Sequence, residues 1–98
     1  MMGVTQNNNG SIELAGFMAR RHVVTAGEAT ANQAVISLAD GLAAINTFVV
    51  QILRSNAVAT SDAVITASGT NLTVADGSTY NMTTGDVIMI LAAGARAE

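Results

Sequence analysis

The hydrophobic positions in the second half of the chain fall into short runs that alternate with glycine turns. Residues 63–67 and 72–74 are rich in Val, Ile, Thr and Ala or Leu, and a turn at Ser68-Gly69 separates them. Short β-prone runs bounded by Gly, Ser and Asn are typical of strands. The pattern therefore predicts two adjacent strands in this part of the chain.

A second glycine turn and a final apolar run follow. Asp-Gly between β-prone runs is typical of a type I′ hairpin turn, so Asp76-Gly77 predicts a hairpin to a third strand over residues 78–82. After another turn at 83–86, residues 87–92 are apolar at every position. A strand buried on both faces has this pattern, and so does a strand whose second face contacts another subunit.

The middle of the chain fits two patterns. Residues 38–53 carry apolar residues at helical spacing, and Ser37 with Asp40 resembles a capping box. Gly41 and the β-branched and aromatic residues that follow disfavour a helix, because such side chains lose freedom in a helix and fit a pleated sheet. We therefore favour a turn near Asp40-Gly41 and a strand over 46–54, with the helix as the alternative.

Two more strands are predicted earlier in the chain. Residues 33–38 alternate between two faces, and residues 21–25 form a strand that ends at Ala26-Gly27. About five to seven short strands with frequent turns and very little helix predict an all-β fold, a small antiparallel sandwich or barrel of the jelly-roll kind. The expected organisation is a flexible polar N-terminal arm over 1–10 and a single β domain over 11–98.

Composition favours assembly over chemistry. The 98 residues are 50% hydrophobic and 11% charged, without cysteine or proline, and the basic residues are arginines. Edge strands usually carry proline, lysine or other charge that blocks pairing with a further sheet. Because this chain has neither proline nor lysine, we expect its strand edges to be covered or joined to a neighbour.

Charge and chemistry exclude several classes of function. A formal net charge of −3 opposes general binding to nucleic acid or to an anionic membrane, and residues 42–53 are too short and too polar to span a bilayer. His22 is the only histidine and no nucleophile elbow is present, so we expect no catalysis and no cofactor. Asp62, Asp76 and Asp86 could converge on calcium, but ordinary turn chemistry explains their spacing better.

The order of these features resembles a known group of proteins. A polar start, an Ala/Thr/Val-rich run over 24–29, the strand 48–54 and the closing run 84–88 are similar to the small β-rich virion proteins of tailed bacteriophages, and most of all to head decoration, or cement, proteins. The resemblance implies a compact β domain, often a homotrimer, that sits on the capsid surface and reinforces it. It also implies the major capsid protein and copies of the chain as partners.

The predicted function is a non-enzymatic virion structural protein, made in the host cytoplasm and bound to the phage head. The predicted contact residues lie in the arm and in the one cationic cluster, for which a solvated strand edge is the alternative; they are Gln6, Asn7, Asn8, Asn9, Arg20, Arg21 and His22. Two other functions stay open. One is a tail or fibre component; the other is a soluble cupin-like or biotinyl-like barrel with a ligand pocket lined by Tyr80, Met82 or Phe48.

Overall fold

The fold is an antiparallel β-sandwich, seen in a computed structural model that describes residues 5–6, 11–14, 16–55, 57–59 and 62–96. Its elements within these ranges are β1 (Thr5–Gln6), β2 (Ser11–Leu14), β3 (Phe17–Val23), α1 (Ala26–Ala31), β4 (Gln33–Ser37), β5 (Thr47–Arg54), β6 (Ala57–Val58), β7 (Val64–Ser68), β8 (Asn71–Ala75) and β9 (Val87–Ala93). The predicted all-β class is confirmed.

The strands form a large and a small sheet. The large sheet has the order β1-β2-β3-β9-β5-β6 and the small sheet the order β4-β8-β7. Strand β9 lies at the centre of the large sheet and pairs along its whole length with β3 and with β5. The last apolar run of the sequence therefore forms the middle of the larger layer.

The core lies between the two sheets. Alternate residues of each strand point inward, as the period of two in a strand requires. In β9 the inward residues Ile88, Ile90 and Ala92 are buried, whereas Met89 and Leu91 on the other face are exposed. The remaining buried apolar residues come from both sheets and the loops: Met18, Val24, Ala34, Ile36, Leu38, Leu42, Ile52, Leu72, Val74, Tyr80 and Met82.

The strands predicted in the middle of the chain are confirmed. Residues 47–54 form β5, so the alternative helix over 38–53 is wrong, and residues 33–37 form β4. The β-branched and aromatic residues of β5 fit the pleated sheet beside β9, with which the strand pairs over residues 47–53. Sheet pairing thus overrides the helical spacing of the apolar residues.

The turn between β7 and β8 also follows the sequence. Ser68 lies opposite Asn71, so the connecting turn consists of Gly69 and Thr70. Gly69 has a φ of 61°, as the first central residue of a type II′ hairpin turn requires.

The strand predicted over 21–25 has different bounds. Strand β3 begins earlier, at Phe17, and Thr25 is the N-cap of helix α1. The helix forms because Thr25 and Glu28 make a capping box, in which each side chain accepts a hydrogen bond from the other residue's backbone amide. Ala26-Gly27 therefore begins a helix, where the sequence suggested only the end of a strand.

The hairpin predicted at Asp76-Gly77 is absent, and residues 78–82 form a loop instead of a strand. Gly77 lacks the positive φ that a type I′ turn needs. Gly77 instead allows the two backbone segments to lie close together, because a Cβ atom at this position would overlap the carbonyl group of Asp62. The loop is held by side-chain carboxylates instead of a partner strand.

The N-terminal arm predicted over 1–10 falls mostly outside the described residues. The exception is the backbone of Thr5–Gln6, which pairs antiparallel with β2 opposite Ile12 and Glu13. These two residues therefore belong to the large sheet.

Candidate functional site

The large sheet presents an apolar outer face to solvent. The outward side chains of its three central strands fall in register across the sheet, so that Ala19, Leu91 and Val49 form one row. The next row along the strands contains Arg21, Met89 and Gln51. We call this surface the outer face; it comprises Phe17, Ala19, Arg21, Val23, Thr47, Val49, Gln51, Leu53, Val87, Met89, Leu91 and Ala93.

Several large side chains of the outer face lie in water. Phe17 is 48% exposed, Val49 67%, Met89 40% and Leu91 42%. Scattered surface hydrophobic residues are normal in a monomeric protein, but neighbouring ones in a single patch mark interaction sites. Here they occupy adjacent positions on three paired strands.

The outer face carries little charge. Among its residues, Arg21 is the only charged side chain, and it lies at one end of the row with Met89 and Gln51. Charged residues are usually depleted from the centre of a protein interface, where arginine is tolerated better than lysine. The composition of this surface is therefore that of an interface centre.

A shallow depression marks the middle of the outer face. Its volume is about 200 Å³, and its walls are Ala19, Val49, Gln51, Met89, Ile90 and Leu91. Pockets for drug-sized small molecules usually measure about 300–1,000 Å³. A depression of this size and composition fits an apolar side chain of a partner protein better than a metabolite.

The predicted cationic cluster is divided between two faces of β3. Arg20 and His22 point inward, whereas Arg21 points to the outer face. The Arg20 guanidinium donates through Nη1 to the carbonyl oxygen of Ser37 at 2.9 Å, while its buried Nε has no hydrogen-bond partner among the described residues. Arg21 is therefore the member of the cluster that lies on the exposed apolar surface.

His22 joins β3 to helix α1. Its Nε2 lies 2.9 Å from Oε1 of Glu28, which also accepts the Thr25 amide. Burial raises the pKa of Glu28, but the hydrogen bond from the Thr25 amide and the contacts with His22 outweigh burial and hold that pKa below its usual range. In this setting the imidazole tethers the helix to the strand.

The predicted arm contacts cannot be placed together. Gln6 lies on β1 with its backbone opposite Ile12. Asn7, Asn8 and Asn9 lie outside the described residues. These four positions stay a prediction.

The three aspartates considered for calcium have separate structural roles. Asp62 accepts the backbone amides of Thr79 and Tyr80, each at 2.8 Å, and Asp76 accepts the amide of Met82 at 2.8 Å. Asp86 is buried in a different network. No group of three or more potential metal ligands occurs in the part of the chain that the structure describes.

Asp86 is the one buried charged residue among those whose burial the structure describes. Arg54 donates to it through Nε and Nη2, both at 2.8 Å, and the Tyr80 hydroxyl donates at 2.8 Å. The Arg54 hydrogen bonds lower the pKa of Asp86, although burial opposes them. Burial and the hydrogen bond to Asp86 raise the pKa of Tyr80. The network ties the loop before β9 to strand β5.

The residues expected to line a ligand pocket belong to the interior. Tyr80 and Met82 are 3% and 5% exposed, and Phe48 packs against the core. None of the three lines the depression on the outer face. Tyr80 is engaged with Asp86, so its hydroxyl group already has a partner.

Sequence reasoning did not name the outer face as the candidate site. The signal was present in residues 87–92, whose second apolar face was expected either in a core or against another subunit. What the sequence did not show is that Phe17, Ala19 and Val49 lie beside that strand, since this depends on long-range pairing and register.

Comparisons with known proteins add no family. No family model matches the chain, and no curated protein or solved structure matches it. None of the helices in the described ranges is long and apolar enough to cross a membrane.

Proposed function

We propose that this chain is a non-enzymatic structural protein of a virus particle, a capsid decoration protein that binds the major capsid protein and copies of itself. The observation that carries the proposal is the apolar outer face of the large sheet. The order of features in the sequence resembles that of phage head decoration proteins. This resemblance is the reason for proposing a virus capsid as the assembly.

The energetics favour a covered outer face. Full burial of one large apolar side chain contributes roughly 1.5–3 kcal/mol. Phe17, Val49, Met89 and Leu91 are about half exposed, so covering all four adds several kcal/mol before the entropy of association is subtracted. The polar groups that need partners on burial are few, chiefly Arg21 and Gln51.

The same face suits contact with copies of the chain and with a shell protein. Three sheets can turn their apolar faces toward a threefold axis, which is the arrangement we propose for the homotrimer. Arg21 lies within this surface, and its planar guanidinium can bond a carboxylate in two places. We assign the contact with the major capsid protein to Arg21 and to the polar segment that contains Gln6 and residues 7–9.

Particle occupancy tests the proposal. Virus particles are purified from cells that carry the wild-type gene, and the copy number of the chain per particle is measured by mass spectrometry, with a labelled antibody to locate it by electron microscopy. We expect the chain on the head. Val49→Lys places a charge on the outer face and lowers occupancy at least about tenfold, which corresponds to about 1.4 kcal/mol.

Val35→Lys is the matched control. Val35 is 52% exposed on β4 of the small sheet, so the same charge is introduced away from the outer face, and occupancy stays at the wild-type level. Absence of the chain from purified particles contradicts the proposal. Antibody labelling of the tail instead of the head would contradict the decoration role and would support the alternative function, a tail or fibre component.

A further inference from the structure

Strand β7 is an edge strand without the usual protection. It pairs with β8 on one side, and no described residue pairs with it on the other. Its sequence, Val-Ile-Thr-Ala-Ser, contains no charge and no proline. Natural edge strands usually carry such residues because bare backbone groups promote pairing with another chain.

The opposite edge of the small sheet, strand β4, is partly covered. There, the Arg20 guanidinium bonds the carbonyl oxygen of Ser37 at the end of β4, and helix α1 packs beside that strand. The Arg20 guanidinium, from the large sheet, thus satisfies one backbone carbonyl group of this edge, and a helix beside an edge strand is one of the ways in which proteins cover it. The two edges of one sheet thus differ: part of the β4 edge is covered, whereas no described residue pairs with the outer side of β7.

The turn defines which backbone groups of β7 are available. A two-residue turn closes on a hydrogen-bonded pair, here Ser68 with Asn71. Hydrogen-bonded pairs alternate along an antiparallel ladder, so Thr66 also bonds to β8, whereas the N–H and C=O groups of Ile65 and Ala67 point away from it. These outward groups lie two residues apart, on either side of Thr66.

We propose that β7 pairs antiparallel with β7 of a second copy, around a twofold axis at Thr66. In this register Thr66 lies opposite its own copy, and each Ile65 lies opposite the other chain's Ala67. The outward groups of Ile65 and Ala67 are then the ones that exchange hydrogen bonds, as in an ordinary antiparallel ladder. The two small sheets become one continuous sheet.

Charge does not oppose this pairing. Residues 63–75 contain no charged side chain. Asp62 of each chain lies near Thr70 of the other, at opposite ends of the joined strands. Strands rise about 3.3 Å per residue, so the two Asp62 carboxylates are separated by more than the Debye length of about 8 Å at physiological salt.

The inference rests on the proposed role as an assembly subunit and adds a second contact to it. An isologous twofold contact joins copies in pairs, independently of the outer face. In the proposed trimer it links one trimer to the next.

Disulfide trapping tests the contact, and the chain contains no cysteine that could interfere. Directly opposed residues of a non-hydrogen-bonded antiparallel pair have Cα atoms about 4.5 Å apart, within the range of about 4.4–6.8 Å for disulfides. Thr66→Cys should therefore form a covalent dimer under mild oxidation. Val35→Cys is the control, since Val35 lies in the same row of the sheet, opposite Thr73, which lies opposite Thr66.

At about 10 µM protein we expect Thr66→Cys to cross-link about 100-fold faster than Val35→Cys, because paired thiols have an effective concentration in the millimolar range. The rate should be the same in the Val49→Lys background. Equal rates for the two cysteine variants overturn the β7 contact and leave the outer-face proposal intact. Fast trapping at Thr66 together with wild-type particle occupancy of Val49→Lys contradicts the proposed function alone.

Discussion

At the residue scale, the aspartates show which contacts could be predicted from the sequence and which could not. The expectation of turn chemistry describes Asp76 and Asp86, whose carboxylates accept the nearby backbone amides of Met82 and Thr83. It does not describe Asp62, whose amide partners lie 17 and 18 residues away in the chain. Nor does it describe the pairing of Asp86 with Arg54, which lies 32 residues away. That pairing follows from the register of β5 beside β9, which local sequence does not encode.

The lowered pKa values of two of these aspartates make the stability of the fold depend on pH. Backbone hydrogen bonds from Tyr80 and Thr79 lower the pKa of Asp62 to about 2, and the Arg54 hydrogen bonds lower that of Asp86. An unfolded aspartate has a pKa of about 3.9. For Asp62 the unfolded chain binds more protons between these two pKa values, so its stabilisation is present above about pH 4 and is lost as the pH falls toward 2. The lowered pKa of Asp86 makes stability depend on pH in the same direction.

The pH dependence of Arg54→Ala tests this account. The substitution leaves Asp86 buried without its cation, so we expect the free energy of unfolding in urea to fall by about 2–4 kcal/mol at pH 7. The difference from wild type should shrink as the pH falls through the acid range below about pH 4, because protonation of Asp86 removes the charge that Arg54 compensates. Arg21→Ala, on the exposed outer face, should stay within about 0.5 kcal/mol of wild type.

A difference that stays constant over this pH range would contradict the role of the ion pair. The Arg54 guanidinium also lies 5.7 Å from the centre of the Tyr80 ring. A constant loss would assign the contribution of Arg54 to that contact and to packing.

At the element scale, strands were predicted where alternation or β-branched residues are dense, and failures occurred where side chains replace sheet pairing. Residues 33–37 and 47–54 form strands as expected. Helix α1 depends on one capping box, and the loop over 78–82 depends on two aspartates that bond its amides. Each of these arrangements uses a few specific contacts, so periodicity does not reveal it.

Gly77→Ala tests the close approach at the loop. An added Cβ atom would overlap the Asp62 carbonyl group, so the backbone must shift, and we expect a loss of about 1–3 kcal/mol in the free energy of unfolding. Gly27→Ala is the matched control: its Cβ would meet only Thr25 Oγ1, at 4.0 Å. In helix α1 this change should stabilise by about 0.5–1 kcal/mol. Equal effects of the two substitutions would show that Gly77 is not needed for the approach.

At the scale of the whole molecule, the sandwich buries one face of its large sheet and exposes the other. The sequence indicated the second apolar face of residues 87–92 and the lack of edge protection, and both features are present in the structure. It did not indicate that Phe17 and Val49 extend that face across neighbouring strands. Only the assembled sheet shows a continuous surface.

The central claim is that the outer face joins this chain to other subunits, and sedimentation equilibrium over about 1–100 µM tests it most directly, since association of this kind depends on protein concentration. Wild type and Val35→Lys should form species larger than a pair of chains. Val49→Lys should form pairs at most, through β7. Wild-type protein that stays a single chain throughout, or a Val49→Lys variant that assembles as wild type does, would contradict the account.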